Sequence, residues 1–261
     1  MRITYIGHAT LLLEVGGVRL LTDPNFDPAL GRLLARVSPP GIAIGELPKL
    51  DAMLLTHAHA DHLSFDSLAA LPRDIPLFAP PPVARWLDRL GYTHAVPLAP
   101  GGSARVGEVT LFAEAARHVG ARYAVDRWRS AANMYLLDTG SASTLFAGDT
   151  ALTPETHRIS EQRVASVGRR LDVALLPIGH APWWKPGFRR GHLTSADALT
   201  LFERLQARYL IPYHWGTFNH VTASAYDAIT RLRSLASAHA RGADVKIIEP
   251  GEVFELPGVG G

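Results

Sequence analysis

Within six consecutive residues, His57-Ala58-His59-Ala60-Asp61-His62, this 261-residue chain sets three imidazoles and one carboxylate. Imidazole nitrogen and carboxylate oxygen are good ligands for zinc and its first-row neighbours. The stretch follows an apolar run, Met53-Leu54-Leu55, that reads as the end of a buried strand. It precedes residues 63–71, which read as the first turns of an amphipathic helix. In extended backbone, side chains two apart point to the same side, so His57 and His59 can converge on one ion. Asp61 and His62 lie where the chain turns into the helix and can serve a second ion nearby. The ordinary alternative is a polar loop rich in histidine by chance. Four potential ligands in six positions behind a buried strand weigh against it.

Elements able to hold such a loop recur along the chain. Residues 3–6, 10–15 and 18–21 read as strands, the last two joined by Gly16-Gly17, a hairpin signal. Residues 26–48, with Pro39-Pro40-Gly41, read as irregular, a flap or a connection. A helix is expected over 64–71, a strand over 76–79, and a helix over 82–90 ended by Gly91. Residues 106–115 read as one or two strands, and 133–138 and 143–147 as strands around Thr139-Gly140-Ser141. A further apolar strand is expected over 172–178. Ser195 is expected to cap a helix running to about residue 206, followed by a strand over 209–212. Residues 223–241 read as a long amphipathic helix ended by Gly242, 245–248 as a final strand, and 251–261 as a tail. Strands alternating with helices argue for a layered α/β fold.

A hydrophobic fraction of 47% with 19% charged residues is a globular balance, not that of a disordered chain. No internal repeat or linker divides the sequence, so residues 1–261 are expected to form one domain. The absence of cysteine excludes a disulfide framework, a thiolate ligand and a cysteine nucleophile. A net charge of +2 is too small to argue for nucleic acid, and none is expected as a partner. The N-terminus lacks the pattern of a secretory signal, and no apolar run approaches the ~20 residues of a spanning helix. The sequence therefore reads as soluble and cytoplasmic, with peripheral membrane contact left open.

The spacing of His57, His59, Asp61 and His62 resembles the His-x-His-x-Asp-His signature of the metallo-β-lactamase superfamily. The resemblance implies a further His, an Asp and a final His, each on a loop after a strand. His118 follows 106–115, Asp149 stands in Gly148-Asp149-Thr150, and His214 stands in Tyr213-His214-Trp215. The implied fold is a four-layer αββα sandwich, two mixed sheets face to face with helices outside and the metal site at one edge. The implied cofactors are two divalent ions, zinc first, with manganese or iron as alternatives. One would take His57, His59, His118 and Asp149; the other Asp61, His62, Asp149 and His214, with Asp149 as the bridge. The resemblance also gives Asp23, in Thr22-Asp23-Pro24, the role of orienting a ligand histidine from behind; its ordinary reading is a turn residue.

Without cysteine, and with His62 after Asp61, the chain leans to the general hydrolase and phosphodiesterase side of the superfamily. Gly7-His8-Ala9-Thr10, Phe146-Ala147-Gly148-Asp149-Thr150 and His214-Trp215-Gly216-Thr217-Phe218 resemble the N-acylphosphatidylethanolamine phospholipase D-like and ascorbate-6-phosphate lactonase-like hydrolases. His192 matches a histidine that lies near the metals in that branch without being a permanent ligand. Val119-Gly120-Ala121-Arg122 departs from the branch, which more often has Phe-Ser-Gly-Arg after the histidine.

The implied activity is attack by a metal-held hydroxide on a phosphodiester, ester or lactone of a small or lipid-like substrate. Asp61 is assigned to accept the proton of the nucleophile. His192 is assigned to stabilise an oxyanion or protonate the leaving group. His8 is expected to line the site. Trp183, Trp184 and Phe188 read as a hydrophobic lid, and Lys185, Arg189 and Arg190 as a group able to meet phosphate or carboxylate; a solvated surface loop is the plainer reading. A nucleic-acid-processing nuclease on the same fold and a non-catalytic metal-binding protein are the alternatives. The modest charge stands against the first and the complete ligand set against the second.

Overall fold

Neighbouring residues of the first three strands pack into different cores. The computed structural model describes residues 1–31, 34–123, 126, 128–179, 187–219 and 223–258. In β1 (Arg2–Gly7), β2 (Thr10–Val15) and β3 (Val18–Thr22), Ile3, Tyr5, Leu11, Leu13 and Leu20 join one buried cluster. Ile6, Leu12 and Leu21, of opposite parity, join another. That is the two-residue period of a pleated strand covered on both faces.

The chain continues through a two-stranded ribbon, β4 (Ala29–Leu30) and β5 (Leu34–Ala35), to β6 (Ala52–Leu54), α1 (Phe65–Ala70), β7 (Leu77–Ala79), α2 (Pro81–Arg89) and β8 (Ala95–Pro97). Then come β9 (Ser103–Val106), β10 (Val109–Ala115), β11 (Asn133–Asp138), β12 (Ser143–Phe146), α3 (Arg158–Arg163) and β13 (Val173–Pro177). The last elements are α4 (Ser195–Leu205), β14 (Tyr209–Tyr213), α5 (Asp227–Ser237) and β15 (Val253–Glu255). One seven-stranded sheet has the order β15-β1-β2-β3-β6-β7-β8, and a six-stranded sheet the order β14-β13-β12-β11-β10-β9.

Each sheet is antiparallel at one end and parallel at the other. β1, β3, β6, β7 and β8 run one way in the first sheet. β10, β12, β13 and β14 run one way in the second. Tyr5, Leu11 and Leu20 of the first sheet pack with Leu111, Tyr135 and Leu145 of the second. α1 and α2 cover the outer face of the first through Leu68, Val83 and Leu87. α4 and α5 join the core on the second through Phe202, Leu201, Ile229 and Leu232. The αββα sandwich expected from the sequence is the architecture observed. Among the described residues no helix is long and apolar enough to cross a membrane.

Four local expectations are corrected. Thr194, not Ser195, caps α4: its hydroxyl accepts from the Asp197 amide while the Asp197 carboxylate accepts from the Thr194 amide, a reciprocal capping box. α5 is shorter than 223–241, because the Ala225 carbonyl is taken by the Gly216 amide and Asp227 folds back on the Ser224 amide. Residues 245–248 form no strand and pair with β14 by an isolated bridge, Leu210 to Val245. The supposed tail instead supplies β15, which pairs with β1 in register Ile3 to Phe254.

Candidate metal centre

The strands that run together in each sheet deliver the chemistry at their C-terminal ends. His8 follows β1, Asp23 follows β3, and residues 57–62 follow β6. His118 follows β10, Asp149 follows β12, and His214 follows β14. His192 sits on the loop after β13, whose base is pinned by a bridge between Gly179 and Thr194. Residues spread over most of the chain thus meet at one edge of the sandwich.

Asp149 is the centre of the cluster and is 2% exposed. Its Oδ2 lies 3.3 Å from His62 Nε2, 3.6 Å from His192 Nε2, 3.9 Å from His57 Nε2 and 4.0 Å from His118 Nε2. Its Oδ1 lies 3.5 Å from His214 Nε2. Asp61 Oδ2 lies 3.5 Å from His214 Nε2 and 3.6 Å from His62 Nε2. His118 Nε2 and His59 Nδ1 are 3.2 Å apart. Two atoms each about 2.0–2.1 Å from one tetrahedral ion lie roughly 3.4 Å apart, so these spacings suit ligands of shared cations. The ligand atoms fall into overlapping groups: His57, His59 and His118; His8, Asp61, His62 and His214; and Asp149 with His57 and His62 or with His118 and His192.

The imidazoles are aimed by what their other nitrogen touches. His62 Nδ1 donates to Asp23 Oδ2 at 2.7 Å, and His118 Nδ1 to the Gly191 carbonyl at 2.7 Å. His57 Nδ1 meets Thr56 Oγ1 at 3.0 Å, and that hydroxyl donates to Asp23 Oδ2 at 2.7 Å. His192 Nδ1 reaches the Phe188 carbonyl at 3.2 Å. Tying Nδ1 outward fixes the tautomer and leaves Nε2 as a ligand. His57 Nε2, His62 Nε2, His214 Nε2 and Asp149 Oδ1 are buried without a hydrogen-bond partner. An unmet buried polar atom costs about 1–3 kcal/mol, and metal held by these overlapping groups would satisfy all four. The donor set, nitrogen and oxygen only, fits zinc and its first-row neighbours.

The charges agree with this. Burial alone would raise the Asp149 carboxyl, but the His214 and His62 imidazoles hold it well below the usual carboxylate range. Asp61 is lowered in the same way, chiefly against burial by His62 and His214. Burial pushes His118 down to about 4 and His57 well below its ordinary value. Burial would also lower His62, yet the Asp149, Asp61 and Asp23 carboxylates raise it.

Small residues make the approach possible. Gly148 has φ +55°, and a Cβ there would stand 2.7 Å from the Thr56 side chain. A Cβ on Gly120 would stand 2.6 Å from His57 Cβ. His8, Asp23 and His214 hold positive φ of 55°, 32° and 71° without being glycine, a conformation that clusters at functional sites.

His57, His59, Asp61, His62, His118, Asp149, His192 and His214 are brought together, with Asp23 behind them. His8 reaches the cluster but is 6% exposed, its Nε2 engaged at 2.9 Å with Asp61 Oδ2. Arg189 joins a different neighbourhood: it pairs with Asp197 at 3.3 Å and lines a cleft of about 630 Å³ between the start of α4 and α5. Trp183 and Trp184 lie outside the described residues. Two contributors went unassigned in the sequence. Thr56 links Asp23 to His57, and Arg122 donates to the Leu63 carbonyl at 2.6 Å, closing the ligand loop from beneath. Thr56 opens the histidine stretch, and Arg122 matches the last residue of the Phe-Ser-Gly-Arg run of the resembling branch; those were the available signals.

Residues 18–215 match the family model of the β-lactamase superfamily domain. The chain is 28% identical to a UPF0173 metal-dependent hydrolase of Pyrobaculum aerophilum, over 98% of this chain and all of that one. It is 26% identical to the N-acyl-phosphatidylethanolamine-hydrolyzing phospholipase D 1 of Caenorhabditis elegans, over 97% of this chain and 75% of that one. Among solved structures, the isothiocyanate hydrolase from Delia radicum gut bacteria superposes with a TM-score of 0.79 at 20% identity, over 99% of this chain and all of that one, a likeness of fold. With the family model spanning most of the chain and its relatives named as metal-dependent hydrolases, the protein belongs to the metallo-β-lactamase superfamily and is a metal-dependent hydrolase.

Proposed function

We propose that the protein is a dinuclear hydrolase acting on a phosphodiester of a small or lipid-like substrate, with an ester or lactone as the alternative electrophile. The observation that carries this reading is the convergence of imidazole and carboxylate atoms on both oxygens of Asp149. One ion would take His57, His59, His118 and Asp149; the other would take Asp61, His62, Asp149 and His214. When bound, divalent ions supply Lewis acidity and a nucleophilic water at neutral pH. Zinc suits the donor set best, with manganese or iron able to replace it.

The chain's own residues do the rest. The Asp149 carboxylate stays ionised and separates the two groups of imidazoles. Asp61, a quarter exposed, accepts the proton of the nucleophile. His192 is a third exposed, stacks on Phe188 with ring centroids 4.5 Å apart, and points Nε2 toward Asp149. When protonated at that nitrogen, a state the Asp149 carboxylate favours against the effect of burial, it passes the proton to the leaving group. The phosphodiester preference is supported by the relative named for phospholipase D activity.

The test is metal content of the purified protein paired with hydrolysis of bis-p-nitrophenyl phosphate, a p-nitrophenyl ester, a lactone and a β-lactam. Two equivalents with chelator-sensitive phosphodiester turnover is the expected result. Ester or lactone turnover alone would move the reading to carbonyl chemistry. One equivalent or none, with no turnover after reconstitution, would refute it.

A further inference from the structure

His8 makes its contacts almost entirely with one half of the cluster. Its Nε2 meets Asp61 Oδ2 at 2.9 Å. Its ring lies on His214 with centroids 3.9 Å apart, and meets His62 edge-on at 5.5 Å. Phe218 closes its other side edge-on at 5.3 Å. In the other half, His57 and His118 are braced elsewhere, by Thr56 and the Gly191 carbonyl.

The backbone of His8 is held as firmly as its ring. Its amide donates to Thr217 Oγ1 at 2.6 Å, and its carbonyl accepts from the His214 amide at 2.8 Å. Its φ of +55° is one a histidine adopts only where its surroundings impose it. Gly7 before it, at φ +143°, would bring a Cβ to 3.2–3.3 Å from Arg36 and Thr217. The end of β1 is thereby locked to the loop after β14, and His8 projects from that lock onto Asp61. A carboxylate oxygen has two lone-pair sites, so Asp61 Oδ2 can accept the imidazole N–H and still face a cation.

We infer that His8 is a positioning residue for the second ion alone, holding Asp61 by a hydrogen bond and His214 by ring and backbone contact. This rests on the two-ion reading above. His8 is thus withdrawn from the substrate-lining role expected of it: its polar atom is occupied and the ring is enclosed.

Two substitutions separate the hydrogen bond from the ring. His8→Phe keeps a flat ring against His214 and Phe218 but removes the N–H; His8→Gln keeps a donor of similar reach. Stepwise titration of the metal-free 261-residue protein with Zn2+ against a chromophoric chelator is the measurement, with circular dichroism to verify folding. In His8→Phe the first equivalent should bind as in the native protein and the second about 10–100-fold more weakly. In His8→Gln the second should return to near-native affinity. The inference is overturned if His8→Phe binds both equivalents with native affinity, if both weaken alike, or if His8→Gln is as impaired as His8→Phe. A native protein that takes fewer than two equivalents would instead fail the two-ion reading, before any variant is compared.

Discussion

At the scale of single residues, the site is a set of side chains with one atom aimed inward and another tied outward. Asp149 meets both halves, so Asp149→Asn should abolish turnover and strip metal from the purified protein, as elemental analysis will report. Asp23 tests the outward ties. It is fully buried, and its carboxylate accepts the Thr56 amide, the Thr56 hydroxyl and the His62 ring. Asp23→Ala should weaken metal affinity about 10–100-fold while every ligand remains; unchanged affinity in a chelator competition would remove Asp23 from the account. The ligand types were legible in the sequence because His57, His59, Asp61 and His62 are adjacent. Thr56 and Arg122 were not, because their roles depend on which backbone carbonyl or carboxylate the fold brings beside them.

At the scale of elements, each ligand sits where a strand ends and the chain must turn at once. Gly148 makes one such turn, packed on Thr56 with left-handed backbone. Gly148→Ala should destabilise the metal-free protein by about 2 kcal/mol or more, read by chemical denaturation in the presence of chelator. Strand order was hidden from a linear reading. Gly16-Gly17 between the runs 10–15 and 18–21 announced a hairpin, but nothing local said that Val253-Phe254-Glu255 returns to β1. Apolar residues in Val245-Lys246-Ile247-Ile248 looked like a strand, yet the structure gives them a single bridge to β14. α5 was overdrawn because helical periodicity continues through residues whose carbonyls are committed elsewhere, Ala225 to Gly216 among them.

At the scale of the whole molecule, metal binding, protonation and stability are one linked system. Ligands bound only by the folded chain stabilise it by roughly 2.7 kcal/mol at a hundred times Kd. Chelation should therefore lower the melting temperature by about 5 °C or more, as a thermal scan with and without chelator will show. The carboxylates around His62 and His214 keep both pKa values raised in the ion-free fold, against the effect of burial. A bound cation must displace those protons, so acid competes with metal. Apparent Zn2+ affinity should rise with pH, about tenfold per pH unit for each proton displaced, until both raised values are passed. A competition titration flat in pH across the neutral range would contradict this.

The co-directional strands carry one more consequence. β1, β3 and β6 of one sheet bring His8, Asp23 and the 57–62 loop, whereas β10, β12 and β14 of the other bring His118, Asp149 and His214. A chain cut between β8 and β9 would leave neither fragment with a complete binding set. Metal bound there would act as a rivet across the seam, added to the β15–β1 pairing and the shared core, and reassembly of the severed halves is expected to be strengthened by metal, as fragment complementation can measure.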